Sequence, residues 1–151
     1  MSGLFHEIRE IRRHFHRHPE LSCEEYGTAA FISRKLEEYG IPHVTGIAGT
    51  GIAGLIRGKD PESRCVALRA DMDALAHTVD GKDICVHSCG HDSHCAMVLT
   101  AAEEIAKTGI KRGALKIFFQ PAEEKLFGAT RMIEAGVLED VDIMIGIHLR
   151  P

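Results

Sequence analysis

Residues 113–120 form the apolar run GALKIFFQ, which predicts a buried β-strand. Upstream of it, short runs rich in Ile and Val at residues 51–57 and 64–69 predict two adjacent strands joined by a turn at residues 59–61. Downstream, the run IMIGIHL at residues 143–149 predicts a final strand. The chain is therefore expected to build a sheet from these four strands.

Helices are expected before and between the strands. Apolar residues at helical spacing, closing glycines and flanking prolines predict four of them, at residues 4–15, 22–39, 94–107 and 128–135. Ser93 can cap the third helix. Strands that alternate with helices in this order imply right-handed crossovers and a mixed, largely parallel sheet covered by helices. The predicted fold class is α/β.

The composition is that of one globular domain. The 151 residues (16.6 kDa) include 44% hydrophobic and 26% charged residues. A formal net charge of −4, without a long run of either sign, argues against nucleic-acid binding. No apolar stretch approaches the roughly 20 residues of a membrane helix, and the charged first residues do not resemble a secretory signal. These features predict a cytoplasmic protein that binds neither nucleic acid nor membrane.

Histidine and cysteine are concentrated in the segment DICVHSCGHDSHC at residues 83–95. The five cysteines of the chain are an odd number, which favours reduced thiols over a disulfide framework. Cys89 and His91 lie on a short turn before a predicted helix, where thiolate and imidazole suit Zn and its neighbours as ligands. A second interpretation makes Cys89 a catalytic nucleophile paired with His91, although no oxyanion loop is evident.

The other residues of this segment receive simpler interpretations. Asp92 can hold an imidazole in place. Cys85 and Cys95 are interpreted as small buried apolar side chains. His87 and His94 are interpreted as surface residues.

Carboxylates follow two of the predicted strands. Asp71 and Asp73 come directly after the strand at residues 64–69, where a solvated turn explains them as well as a ligand site does. Glu123 and Glu124 follow the strand that ends at Gln120. Because neighbouring side chains diverge, one carboxylate can bind a metal while the other takes a proton from water, as hydrolysis requires.

His148 lies near the end of the last apolar strand, where an imidazole is either a ligand or a hydrogen-bonded core residue. The neighbouring candidates favour a ligand, because the carboxyl ends of strands converge in an open α/β sheet. Thiolate, imidazole and carboxylate groups together suit two borderline transition-metal ions. The glycine pattern GTGIAG at residues 49–54 has the spacing of a dinucleotide fingerprint, but it leads into a strand instead of a helix and is discounted.

The sequence resembles the amidohydrolase branch of the M20 metallopeptidases, which includes hippurate hydrolases, N-acyl-amino-acid amidohydrolases and plant auxin-conjugate hydrolases. The matching motifs occur in the family's order: RRHFHRHPELSCEE at 12–25, LRADMDAL at 68–75, HSCGHDSHCAM at 87–97, FFQPAEE at 118–124, GATRMIEAGVL at 128–138 and GIHLRP at 146–151. By this resemblance the fold is a three-layer α/β/α arrangement like that of a zinc-aminopeptidase catalytic domain.

The same resemblance implies a role for each candidate residue. Glu123 would be the general base, Asp73 would support the site, and Asp71 stands where related peptidases outside this branch carry a ligand histidine. The implied reaction is hydrolysis of the amide bond of an N-acyl amino acid or peptide-like substrate by a water that the metals activate. Two divalent transition-metal ions (Zn, Mn, Co or Ni) would be bound by Cys89, His91, Glu124 and His148.

Length is the largest departure from the family, whose members are more than twice as long. By the resemblance, residues 1–151 are the N-terminal part of the metal-binding catalytic domain, without the lid and dimerisation domain and without the C-terminal part that carries one more ligand histidine. A sheet left partly uncovered would favour a homo-oligomer. Two alternatives stay open: an inactive metal-binding or interaction module, and a cysteine hydrolase that uses Cys89.

Overall fold

The computed structural model of the protein describes residues 2–149. Residues 150 and 151, the last two of the motif GIHLRP, lie outside the described range. In chain order the helices and strands are α1 (Ser2–Arg17), α2 (Tyr26–Glu38), β1 (His43–Ile47), β2 (Gly51–Arg57), β3 (Asp60–Asp71), β4 (Leu75–Val79), β5 (Lys82–Val86), α3 (His91–Thr108), β6 (Arg112–Gln120), α4 (Gly128–Glu134) and β7 (Ile143–Gly146).

Five strands form one mixed sheet in the order β1-β2-β6-β3-β7, and β4 pairs with β5 in a separate two-stranded sheet. Strands β6, β3 and β7 run parallel, whereas β2 runs antiparallel to β6 and to β1. The prediction that β2 and β3 are adjacent is wrong, because β6 lies between them. Gly58 and Lys59 donate backbone hydrogen bonds to Gly113 and Ile110, which hold the chain beside the start of β6 as it passes from β2 to β3.

Helices cover both faces of the main sheet. On one face, α1, α2 and α3 share a large buried cluster with the sheet, which includes Leu36, Leu99 and Phe119. On the other face, Met132 of α4 joins a smaller cluster with Phe118. Because successive strand residues point to opposite faces, the neighbours Phe118 and Phe119 enter different cores. The predicted α/β class and its three layers are confirmed.

Helix α3 begins three residues before the predicted start, at His91 instead of His94. Gly90 precedes it in the left-handed region, with a φ of 86°, which glycine adopts at little cost. This turn carries the chain directly from Cys89 into the helix. Ser93 therefore lies in the first helical turn and is not the cap.

Two differences at other element ends affect the site. Strand β7 stops at Gly146, so residues 147–149 continue beyond the β3·β7 ladder. The β4·β5 hairpin, which was not predicted from the sequence, leads into the Cys- and His-rich turn.

Within residues 2–149, no helix combines the length and the apolar character needed to cross a bilayer.

Candidate metal centre

Three parallel strands end beside one another and bring most candidate residues to one edge of the sheet. Asp71 ends β3, Glu123 and Glu124 follow β6, and His148 follows β7. This convergence is the one predicted from the carboxyl ends of parallel strands. Cys89 reaches the same place differently, because it precedes the first turn of α3 and follows a hairpin that is outside the main sheet.

His91 is fully buried at the centre of this group. Its Nδ1 lies 2.9 Å from the backbone oxygen of Asp73 and 3.2 Å from Asp73 Oδ1. Both neighbours accept, so Nδ1 keeps a proton and Nε2 is the ring nitrogen that remains for a metal ion. Nε2 lies 3.6 Å from Glu123 Oε2 and 3.8 Å from Glu124 Oε1 and has no hydrogen-bond partner within residues 2–149. The ring therefore presents Nε2 to two carboxylates.

His148 presents a second nitrogen to the same space. Its Nδ1 donates to the backbone oxygen of Leu149 at 2.6 Å, which leaves the lone pair on Nε2. Nε2 lies 3.8 Å from Glu123 Oε1 and 3.9 Å from Asp71 Oδ2. The His91 and His148 rings are perpendicular, with centroids 5.5 Å apart.

The buried thiol of Cys89 completes a set of donors of different kinds. Its Sγ lies 3.6 Å from the backbone oxygen of Asp73, to which it donates. One donor atom from each of Cys89, His91 and Glu124 lies within 4.8 Å of the others, and the same holds for Asp71, His91, His94 and His148. Thiol, imidazole and carboxylate donors together are typical of borderline transition-metal sites.

The charges of the site also favour a cation. Partial burial and the neighbouring charge of Glu123 raise the pKa of Glu124. Burial lowers the pKa of His91, but hydrogen bonds to Asp73 and Cys89 and the charges of Cys89 and Asp71 outweigh it and raise this pKa to about 10. A cation bound between these carboxylates and the unpartnered imidazole nitrogen would reduce the electrostatic repulsion between the carboxylates. The residues present therefore fit a metal site.

Asp73 connects three parts of the site through one fully buried carboxylate. Oδ2 accepts from Ser22 Oγ at 2.7 Å and from the Glu124 backbone N–H at 3.0 Å, while Oδ1 faces His91. Burial raises the pKa of Asp73, but the hydrogen bonds from His91 and Ser22 outweigh it, so the pKa is lowered. Asp73 thus fixes the orientation of the His91 ring and the start of the Glu124 peptide.

Glu25 is a supporting residue that the sequence analysis did not identify. Its fully buried carboxylate accepts from the Ala122 backbone N–H at 2.9 Å and from Thr50 Oγ1 at 2.6 Å. Ala122 has a positive φ of 50°, so this bond holds a strained residue directly before the two glutamates. The only sequence signal was its place at the end of the motif at residues 12–25.

Replacing Glu25 with alanine should destabilise the protein by roughly 2–4 kcal/mol, because it leaves the buried Ala122 N–H and Thr50 hydroxyl unpaired. Urea unfolding followed by circular dichroism would measure this as a lower midpoint. The exposed neighbour Glu24 is the matched control, and its alanine variant should stay within about 0.5 kcal/mol of the parent. Equal midpoints for the two variants would contradict the supporting role of Glu25.

Two histidines were placed wrongly by the sequence analysis. His87 and His94 were expected on the surface, and both are buried, His94 because it lies on a buried face of α3. Burial lowers the pKa of His87 to about 4. Asp92 does hold an imidazole, but it is that of His16, at 2.8 Å from Nδ1, with Arg12 on the same carboxylate.

The two other cysteines of the segment at residues 83–95 differ in burial. Cys95 is buried, as expected, and its Sγ donates to the backbone oxygen of Asp71 at 3.0 Å. Cys85 lies in β5 and is only half-buried, contrary to the expectation. All five cysteines are free thiols.

The fold and the site together define an α/β protein with a candidate metal centre at the carboxyl edge of a mixed sheet. Residues 67–151, more than half of the chain, match Peptidase family M20/M25/M40, and the chain belongs to this family. The resemblance seen in the sequence motifs is thereby confirmed.

Curated relatives match nearly the whole chain. The N-acetyl-L-cysteine deacetylase of Bacillus subtilis is 41% identical over 160 residues, which is 100% of this chain and 38% of the relative. The hippurate hydrolase of Campylobacter jejuni is 39% identical over 154 residues, covering 96% of this chain and 40% of the relative. The chain therefore spans about two fifths of the length of these relatives.

Solved structures give the same result for the fold. The YXEP protein of Bacillus subtilis, a dinuclear metal binding peptidase from the M20 family, superposes on 100% of this chain with a TM-score of 0.90 and 34% identity. The match covers 45% of that protein. The described fold is thus that of an M20 peptidase.

Proposed function

We propose that this chain supplies the metal-binding part of the catalytic domain of an amidohydrolase that cleaves the amide bond of N-acyl amino acids or related conjugates. Two observations at His91 carry the proposal. Its donor atoms group with those of Cys89 and Glu124, and its Nε2 faces the Glu123 carboxylate, as His148 Nε2 does. The activities named for the deacetylase and the hippurate hydrolase support the substrate class. The substrates in these two names, N-acetyl-L-cysteine and hippurate, are both small N-acyl amino acids.

Two divalent transition-metal ions would be held by four residues, Cys89, His91, Glu124 and His148. The proposed ions are Zn, Mn, Co or Ni. Bound there, such ions polarise an amide carbonyl and lower the pKa of the attacking water. The dinuclear site named for the Bacillus subtilis structure supports the number of ions. Asp73 would orient the His91 ring, because it accepts a hydrogen bond from Nδ1 and leaves Nε2 for the ion.

Glu123 is proposed as the general base. Its carboxylate is a quarter exposed and faces the nitrogen atoms of both His91 and His148. In this position it can take a proton from the attacking water and return it to the departing amine nitrogen. The buried thiol of Cys89 donates to the Asp73 carbonyl, which disfavours a nucleophilic role.

The setting of the protein forms part of the proposal. Five free thiols support a reducing compartment, and we place the protein in the cytoplasm. Exposed apolar residues along the open edge of β7, including Ile143 and Ile145, support self-association into a homo-oligomer. Lid and dimerisation regions like those of longer family members are proposed to lie outside these 151 residues.

Hydrolysis of a panel of N-acetyl and N-benzoyl amino acids by the purified chain tests the proposal. We expect turnover with added Zn²⁺ or Mn²⁺ and its loss on addition of a chelator. Activity that resists the chelator but is lost on alkylation would support a cysteine hydrolase instead. Bound metal without turnover on any substrate would support the second candidate, an inactive metal-binding module.

A further inference from the structure

His94 lies between the two proposed ligand histidines without serving the proposed reaction. It is almost completely buried in α3, and its ring centroid is 5.1 Å from that of His91 and 4.9 Å from that of His148. One of its ring nitrogens belongs to a group of donor atoms, together with Asp71, that lie within 4.8 Å of one another. By distance alone, His94 would count as a further metal ligand.

The hydrogen bond at the other ring nitrogen assigns a different role. The backbone N–H of Leu149 donates to His94 Nε2 at 2.9 Å. A backbone amide can only donate, so Nε2 must hold a lone pair and a neutral ring carries its proton on Nδ1. A protonated Nδ1 cannot bind a metal ion. It faces Asp71 Oδ2 at 3.5 Å, so it is directed at a carboxylate.

The segment that His94 contacts is the one that carries His148. Strand β7 ends at Gly146, and residues 147–149 lie beyond the β3·β7 ladder. The hydrogen bond from Leu149 ties this segment to α3. The Leu149 side chain also lies over Gly90, where a Cβ would come within 3.0 Å of Leu149 Cδ1. Leu149 thus holds the segment against the first turn of α3 by its backbone N–H and by its side chain.

Asp71 connects the two histidines from the sheet side. It is fully buried and forms an ion pair with Arg69. Its Oδ2 lies 3.5 Å from His94 Nδ1 and 3.9 Å from His148 Nε2. The His94 ring therefore faces the carboxylate beside His148 with Nδ1 and accepts a hydrogen bond with Nε2 from the peptide that follows His148.

We propose that His94 is a positioning residue that holds residues 147–149 in place, so that His148 faces the metal centre, and that it is not a metal ligand. This inference rests on the proposed function, because it takes His91 and His148 as ligands. It adds the residue that sets the position of one of them.

Long-range ¹H–¹⁵N correlation spectra of the full 151-residue chain, with and without Zn²⁺, test the proposal. We expect the proton of His94 to stay on Nδ1 throughout, while Zn²⁺ shifts the Nε2 resonances of His91 and His148. Loss of the Nδ1 proton of His94 on Zn²⁺ binding would overturn the positioning role alone. Absence of any Zn²⁺ response at all three histidines would overturn the metal centre, and the inference with it.

Two amide variants provide a second test by Zn²⁺ affinity. In His94→Gln the side-chain carbonyl can still accept from Leu149, whereas the shorter amide of His94→Asn can donate to Asp71 but cannot reach Leu149. We expect His94→Asn to lose roughly 10–100-fold in affinity, the range for outer partners of metal ligands, and His94→Gln to lose clearly less. Equal losses in both variants would support ligation and overturn the proposal. His43→Gln, which changes a histidine of β1 that bonds to Ser33, is the control.

Discussion

Replacing Glu123 with glutamine should reduce amide hydrolysis by roughly 10²–10⁴-fold, the range that a positioned general base contributes. The amide keeps the size of the side chain but cannot take a proton from the attacking water. Metal content should stay intact, because Glu123 is not among the proposed ligands. Initial rates on an N-acyl amino acid and metal analysis of the dialysed protein would measure the two effects separately.

Glu124→Gln is the matched comparison, since it makes the same change at the neighbouring residue. A carboxylate oxygen of Glu124 lies in one group with the donors of Cys89 and His91, so this variant should lose metal affinity as well as activity. We thus expect Glu123→Gln to lose activity but keep its metal, and Glu124→Gln to lose both. Full activity in Glu123→Gln, or the same metal loss in both variants, would contradict the assigned roles.

The general position of the site could be predicted from the sequence because it follows from topology. Asp71 and Glu123 come after apolar runs that predict parallel strands, and such strands end at one edge of a sheet. The thiol and imidazole of Cys89 and His91 stand in a segment whose composition is unusual for an ordinary surface loop. Local pattern and ligand chemistry were enough for these residues.

Other features could not be predicted because they depend on tertiary contacts. Nothing in the apolar runs at 51–57 and 64–69 indicates that a later strand inserts between them. In the sequence, His94 has the pattern of a surface residue. Its burial depends on the start of α3 at His91 and on the contact of the His94 ring with Leu149. Glu25 is one of two adjacent acids, and only the fold shows that its carboxylate reaches Ala122, 97 residues away in sequence.

Replacing His91 with alanine should weaken Zn²⁺ binding more than any other single histidine change. His91 belongs to both groups of candidate donor atoms, so its loss removes a ligand from each of them. We expect the loss in affinity to exceed the roughly 10–100-fold that Asp73→Asn should cause, because Asp73 orients the ring without itself being a proposed ligand. Competition with a chromogenic chelator would measure both dissociation constants.

The pH dependence of Zn²⁺ binding provides an independent test of His91. Its pKa, raised to about 10, means that the ring holds a proton at neutral pH, and a metal ion has to displace this proton to bind. Between about pH 6 and 8 the affinity should therefore rise with pH, about tenfold per unit for each proton released. In His91→Ala the slope of log affinity against pH should be smaller by about one proton, whereas His43→Ala should keep the parent slope. An unchanged slope in His91→Ala would mean that the proton released on binding comes from another residue, and His91 would then not be a ligand.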